Sequence, residues 1–151
     1  GDLWYFPPGQ PHSIQALNTT TDGAEFLLVF DSGTFSEFDT LQLTDWLAHV
    51  PKEVIAKNFQ MDISAFDELP KHELYLFPAE PPSENPEDDM VVPNNSPLPY
   101  AWALSKVNAT QLMGGTVKYA DTRTFKISKT ISVAEFTVNP GAMRELHWHP
   151  T

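Results

Sequence analysis

The chain has 151 residues, 41% apolar and 12% aromatic, which is material for about one globular domain with a buried core. A formal charge of -11 and a sequence pI near 4.6 argue against nucleic acid and anionic membrane as partners, because repulsion from phosphates would oppose binding. The sequence predicts no transmembrane helix and no signal peptide, having neither a long apolar run nor a basic-then-apolar start, and the absence of cysteine leaves the redox compartment open.

Residues 3 to 30 read as strands separated by turns, namely Leu3 to Phe6, Ser13 to Leu17 and Ala24 to Phe30, with Pro-Gly and Thr-Asp-Gly signals between them. Asp31 to Thr34 is a turn, and Phe35 to Thr40 a polar loop studded with aromatics. From Thr44 the pattern becomes helical. Thr44 is a candidate N-cap, and Pro51 suits the first position of a second helix whose Val54, Ile55 and Phe59 share a face. Ser64 and Asp67 form a capping pair for a third, short helix. Residues 78 to 99 hold seven of the fourteen prolines and an acidic run, and read as an extended connector. Beyond it, Pro99 to Leu104, Thr116 to Ala120 and Ile131 to Val138 read as strands, the last with a phase slip at Ala134-Glu135.

The chemistry concentrates in two places. His147 and His149 follow the Pro140-Gly141 turn, and alternate residues of a strand share a face, so both imidazoles can grip one ion. The competing reading is a surface His-x-His on an exposed strand. His12 follows Gly1, Pro7 and Gly9. Imidazoles suit several first-row ions, so the residue types alone do not choose a metal. His49 reads as helix-end packing and His72 as solvent-facing. Trp4-Tyr5-Phe6, Trp46, Trp102 and Trp148 read as core or interface. Asn18, Asn94 and Asn108 head N-glycosylation triplets, which lean towards a secreted (extracellular or cell-wall) eukaryotic protein, although such triplets also arise by chance.

Gly1-x5-Pro7-x-Gly9-x2-His12 has the spacing of the second cupin motif, and Gly141-x5-His147-x-His149 that of the start of the first. With Glu25 to Asp31, Leu43 to His49 and Met143 to Pro150, these stretches resemble the bicupin oxalate decarboxylases of bacteria and fungi over almost the whole chain. The resemblance implies an all-β fold, the double-stranded β-helix or jelly-roll barrel of the cupins, with short interdomain helices. It implies an internal fragment. Residues 1–43 would be the C-terminal part of a first barrel with its lid loop, 44–77 a helical segment, 78–99 the linker and 100–151 the start of a second barrel.

What the resemblance further implies is cleavage of oxalate to formate and carbon dioxide, with manganese and dioxygen as cofactors. His12 would ligate the metal of the first barrel, and His147 and His149 that of the second. Arg144 matches the arginine that hydrogen-bonds oxalate, although in a regular strand it would face away from His147, so a bend between Gly141 and Leu146 is required. Glu37 matches the lid glutamate that removes a proton from oxalate and returns it to carbon; Phe38 and Asp39 depart from the bacterial lid. Homo-oligomers, trimers or hexamers, assembled through the helical segment are implied as well. Two alternatives stand: an oxalate oxidase producing hydrogen peroxide, and a catalytically inactive binding or assembly fragment.

Overall fold

The computed structural model describes residues 1–19, 21–36, 39–83, 85, 90–91 and 96–150. The chain divides into two compact units, residues 1–15 with 83–151 and residues 16–82.

In the first unit, β1 (Leu3–Trp4) pairs antiparallel with β2 (Ala101–Trp102), and the pairing is prolonged by Tyr5 N–H donating to the Tyr100 carbonyl at 2.9 Å. Chain segments far apart in sequence are thereby joined. A three-stranded antiparallel sheet follows, β3 (Thr110–Leu112), β4 (Gly115–Ala120) and β5 (Val133–Val138), with β4 in the centre. β3 and β4 meet across the two-residue loop Met113-Gly114, since Leu112 lies opposite Gly115. β4 and β5 pair without interruption from Gly115↔Val138 to Ala120↔Val133. β3 is an element that the sequence reading omits.

The expected phase slip at Ala134-Glu135 does not occur. Unbroken register places Glu135 opposite Lys118, where the two side chains form an ion pair of 3.2 Å, and places Phe136 opposite Val117 on the other face. Both faces of β5 carry side chains with partners, which is why one-sided alternation misreads it. The core of this unit gathers Tyr5, Leu104, Ala120, Phe125 and Ile127, flanked by Leu3, Leu98, Tyr100, Trp102, Val107, Ile131 and Val133. The β4–β5 connection contributes Phe125 and Ile127 because Asp121 closes its first turn, accepting from Arg123 N–H at 2.9 Å while its carbonyl accepts from Phe125 N–H at 2.7 Å. Asp2 caps the 3₁₀ turn Leu104–Lys106 from outside it, its carboxylate accepting from Ser105 N–H at 3.0 Å.

In the second unit, α1 (Leu43–Ala48) and α2 (Lys52–Phe59) precede a 3₁₀ turn, Ile63–Phe66. Pro51 stands at the N-cap of α2 rather than at its first position, with φ -56. α2 ends on Gln60 in the left-handed conformation, with Met61 N–H returning to the Ala56 carbonyl at 3.1 Å. Ile55 is the buried residue of α2, whereas Val54 and Phe59 are exposed. Thr44 does not cap α1: Gln42 holds that position and the Thr44 hydroxyl accepts from Leu74 N–H at 3.1 Å. Nor do Ser64 and Asp67 form the expected N-terminal capping pair of the 3₁₀ turn, whose C-cap is Asp67. Asp62 is the N-cap, accepting from Ser64 N–H at 2.9 Å and Ser64 Oγ at 2.7 Å, while Asp67 pairs with Lys52 Nζ at 3.0 Å.

Residues 13–17 and 24–30 do not form the expected strands. A strand needs a neighbour to accept its ladder, and none is present among the described residues. Phe26 to Phe30 are consequently exposed, Leu27 to 88%.

Candidate metal and substrate site

The two histidine motifs share one local design. Pro7-Pro8-Gly9-Gln10 closes with Gln10 N–H donating to the Pro7 carbonyl at 3.0 Å, and Asn139-Pro140-Gly141-Ala142 with Ala142 N–H donating to the Asn139 carbonyl at 2.9 Å. Both turns have proline second and glycine third, the glycine at φ 77, which is the type II pattern. Each turn is followed by an exposed segment that carries the histidines.

His12 stacks flat on Phe6, with ring centroids 3.8 Å apart and planes inclined by 3°. Its Nδ1 bonds the Gln10 carbonyl at 2.9 Å. His147 repeats this contact, Nδ1 to the Glu145 carbonyl at 3.0 Å. A carbonyl oxygen only accepts, so Nδ1 is the donor in each contact and Nε2 is the ring nitrogen not used in it. Metal-binding imidazoles are commonly fixed in this way by a carbonyl on the second ring nitrogen. The rings of His147 and His149 lie 5.2 Å apart at 82°. The donor chemistry thus fits a divalent ion. Among the described residues no group of three or more histidine, aspartate or glutamate side chains is poised to hold one, so His12, His147 and His149 are not gathered into a single site. Residues 147–149 belong to no strand, unlike the expectation from the sequence.

Arg144 lies over the ring of Phe136, its Cζ 4.4 Å from the centroid. The Asn139–Ala142 turn precedes the stretch between Gly141 and Leu146 where the sequence requires a bend, and beyond it the guanidinium meets Phe136 of β5. Phe136 also meets Tyr119 edge-on, with centroids 6.4 Å apart at 90°. This aromatic support was missed in the sequence; the signal available was the pair of aromatics on adjacent strand positions once the register is unbroken.

Glu37 and Phe38 lie outside the described residues, as do Asn94 and the hydroxyl residue Thr20 of the first triplet. Asn18 and Asn108 are exposed. His49 bonds the Asp45 carbonyl at 2.9 Å from the end of α1. No described helix is long and apolar enough to cross a membrane.

Comparison with known proteins adds what geometry leaves open. Residues 1–65 match the family described as Cupin. The chain is 54% identical to oxalate decarboxylase OxdC of Bacillus subtilis (strain 168), covering 99% of this chain and 38% of that protein. It is 39% identical to a probable oxalate decarboxylase of Arthroderma benhamiae, covering 100% of this chain and 37% of the relative. Among solved structures, an alanine mutant of Bacillus subtilis OxdC superposes with a TM-score of 0.89 at 54% identity, covering 99% of this chain and 39% of the other. Another, determined in work on the Mn(II) centres of that enzyme, has a TM-score of 0.89 at 53% identity and the same coverage. The chain therefore spans less than two fifths of the length of these relatives. The bacterial relative shares more identity than the fungal one, although the glycosylation triplets lean towards a eukaryotic source.

Proposed function

We propose that this chain, whose residues 1–65 match the cupins and which aligns end to end with part of an oxalate decarboxylase, belongs to the bicupin oxalate decarboxylases and serves in manganese-dependent cleavage of oxalate to formate and carbon dioxide. The observation that carries the reading is the pairing of His147 and His149 behind one turn, with Arg144 held by the same segment.

Nε2 of His147 and of His149 would hold the ion of one barrel, and Nε2 of His12 would serve the other. When bound, manganese would neutralise a substrate carboxylate as a Lewis acid, and dioxygen is the cofactor this reading adds. Arg144 offers a planar fork of N–H donors that matches a carboxylate in bidentate fashion. At the first barrel's site, which is not the one that Arg144 serves, Glu37 would take the acidic proton of a bound oxalate monoanion and return it to carbon after the carbon–carbon bond breaks. The balance closes: hydrogen oxalate yields formate and carbon dioxide with no net oxidant consumed.

The same reading makes the protein secreted and glycosylated, supported by exposed Asn18 and Asn108. It assigns residues 1–43, 44–77, 78–99 and 100–151 to first barrel, helical segment, linker and second barrel, and assembles copies as trimers or hexamers through the helices. Manganese(II) electron paramagnetic resonance tests the metal assignment. His147→Ala and His149→Ala should each weaken manganese binding at least about tenfold; unchanged binding in both would remove the ligand pair.

A further inference from the structure

We propose that Phe136, braced by Tyr119, is a positioning residue that presents the Arg144 guanidinium to the substrate carboxylate. This rests on the reading that Arg144 binds oxalate.

The unbroken β4–β5 register puts Phe136 opposite Val117 and Tyr119 opposite Ala134, so both rings stand on the same sheet face, diagonal to each other. Tyr119 meets Phe136 edge-on at 90°, which limits rotation of the Phe136 ring. The Arg144 Cζ sits 4.4 Å from the ring centroid of Phe136. That distance lies within the range of cation–π attraction.

The choice of partner matters for what Arg144 can still do. A carboxylate partner would occupy the in-plane N–H donors, which are the groups a substrate needs. A ring engages the flat face of the guanidinium and leaves its edge donors available. No ion pair involves Arg144 among the described residues. Stacking therefore holds a long, flexible side chain without consuming its recognition edge. Phe136 is 39% exposed, so its place on β5 is not explained by core packing alone.

The test compares Phe136→Leu with Phe136→Tyr in the manganese-loaded full-length protein that contains this chain, together with Arg144→Lys. Proton NMR reads the stack directly: side-chain protons of Arg144 should be shifted upfield by the ring current in the parent and in Phe136→Tyr, and should return to ordinary values in Phe136→Leu. Steady-state kinetics on oxalate reads the consequence. Phe136→Leu should lower kcat/KM by about 3- to 30-fold, the range spanned by cation–π energies, and Phe136→Tyr should restore it. Parent turnover of oxalate with a normal kcat/KM in Phe136→Leu would overturn the positioning role, as would the absence of any upfield shift in the parent. Absence of oxalate turnover in the parent would instead overturn the substrate assignment, and with it this role for Phe136.

Discussion

Gly115 passes so close to Thr137 that a Cβ on the glycine would overlap the Thr137 carbonyl oxygen. Gly115 lies opposite Val138, the residue after Thr137, where β4 begins beside the end of β5, and it has φ +150, a conformation that side-chain-bearing residues rarely adopt. Neither obstacle can be relieved by turning a side chain, since the nearest atoms are backbone.

Gly115→Ala should therefore destabilise the three-stranded sheet by about 2–4 kcal/mol, from backbone strain and forced separation of the strands. Urea unfolding followed by circular dichroism measures it. A midpoint within error of the parent would show that the sheet relaxes freely there.

This contact was not legible in the sequence, which places the strand from Thr116 to Ala120 and gives Gly115 no part in it. β4 was legible from Val117 and Tyr119, and β5 from its apolar letters, yet the face assignments were not. Sequence alternation assumes one buried side, whereas Glu135 is satisfied by Lys118 and Phe136 by Tyr119 and Arg144. The same limit explains Asp62 and Thr44. Capping depends on which backbone N–H a short side chain reaches, and Thr44 spends its hydroxyl on Leu74, remote in sequence. The histidine motifs were legible because proline and glycine at fixed offsets dictate the turn that precedes them. Strands 24–30 were misread because an apolar run reports the tendency to pair and not the presence of a partner.

Asp2 should make stability depend on pH in a defined direction. Hydrogen bonds from the Ser105 side chain and amide hold its carboxyl below the usual carboxylate range. The folded form thus favours the ionised group. Its contribution is present above the ordinary value of about 4 and is lost as pH falls through the lowered folded value. Asp2→Asn keeps an acceptor for Ser105 N–H and removes the charge. The difference between the urea midpoints of parent and variant should be largest near neutral pH and shrink as pH falls below the ordinary carboxylate range; a difference that does not change with pH would count against the charged cap.

Glu37→Gln should lower oxalate turnover by about 100- to 10,000-fold, the usual weight of a positioned acid or base, while leaving manganese content unchanged. Quenched-flow or NMR assay of formate, alongside metal analysis, separates the two quantities. Turnover at the parent rate would remove Glu37 from the chemistry.

Asn108 sits in the exposed stretch before β3 and Asn18 in an exposed turn, so a protein passing through a eukaryotic secretory route should carry glycan on both. Treatment with an N-glycosidase followed by mass spectrometry should convert each asparagine to aspartate. Unmodified asparagine at both positions would argue against secretion by that route.

The most direct measurement is to incubate the manganese-loaded full-length protein that contains this chain with carbon-13 oxalate in air at mildly acid pH, following products by NMR with a peroxide probe in the same tube. Labelled formate and carbon dioxide without stoichiometric peroxide is the predicted result. Peroxide with little formate would replace the decarboxylase with an oxidase, and no consumption of oxalate would contradict the functional account.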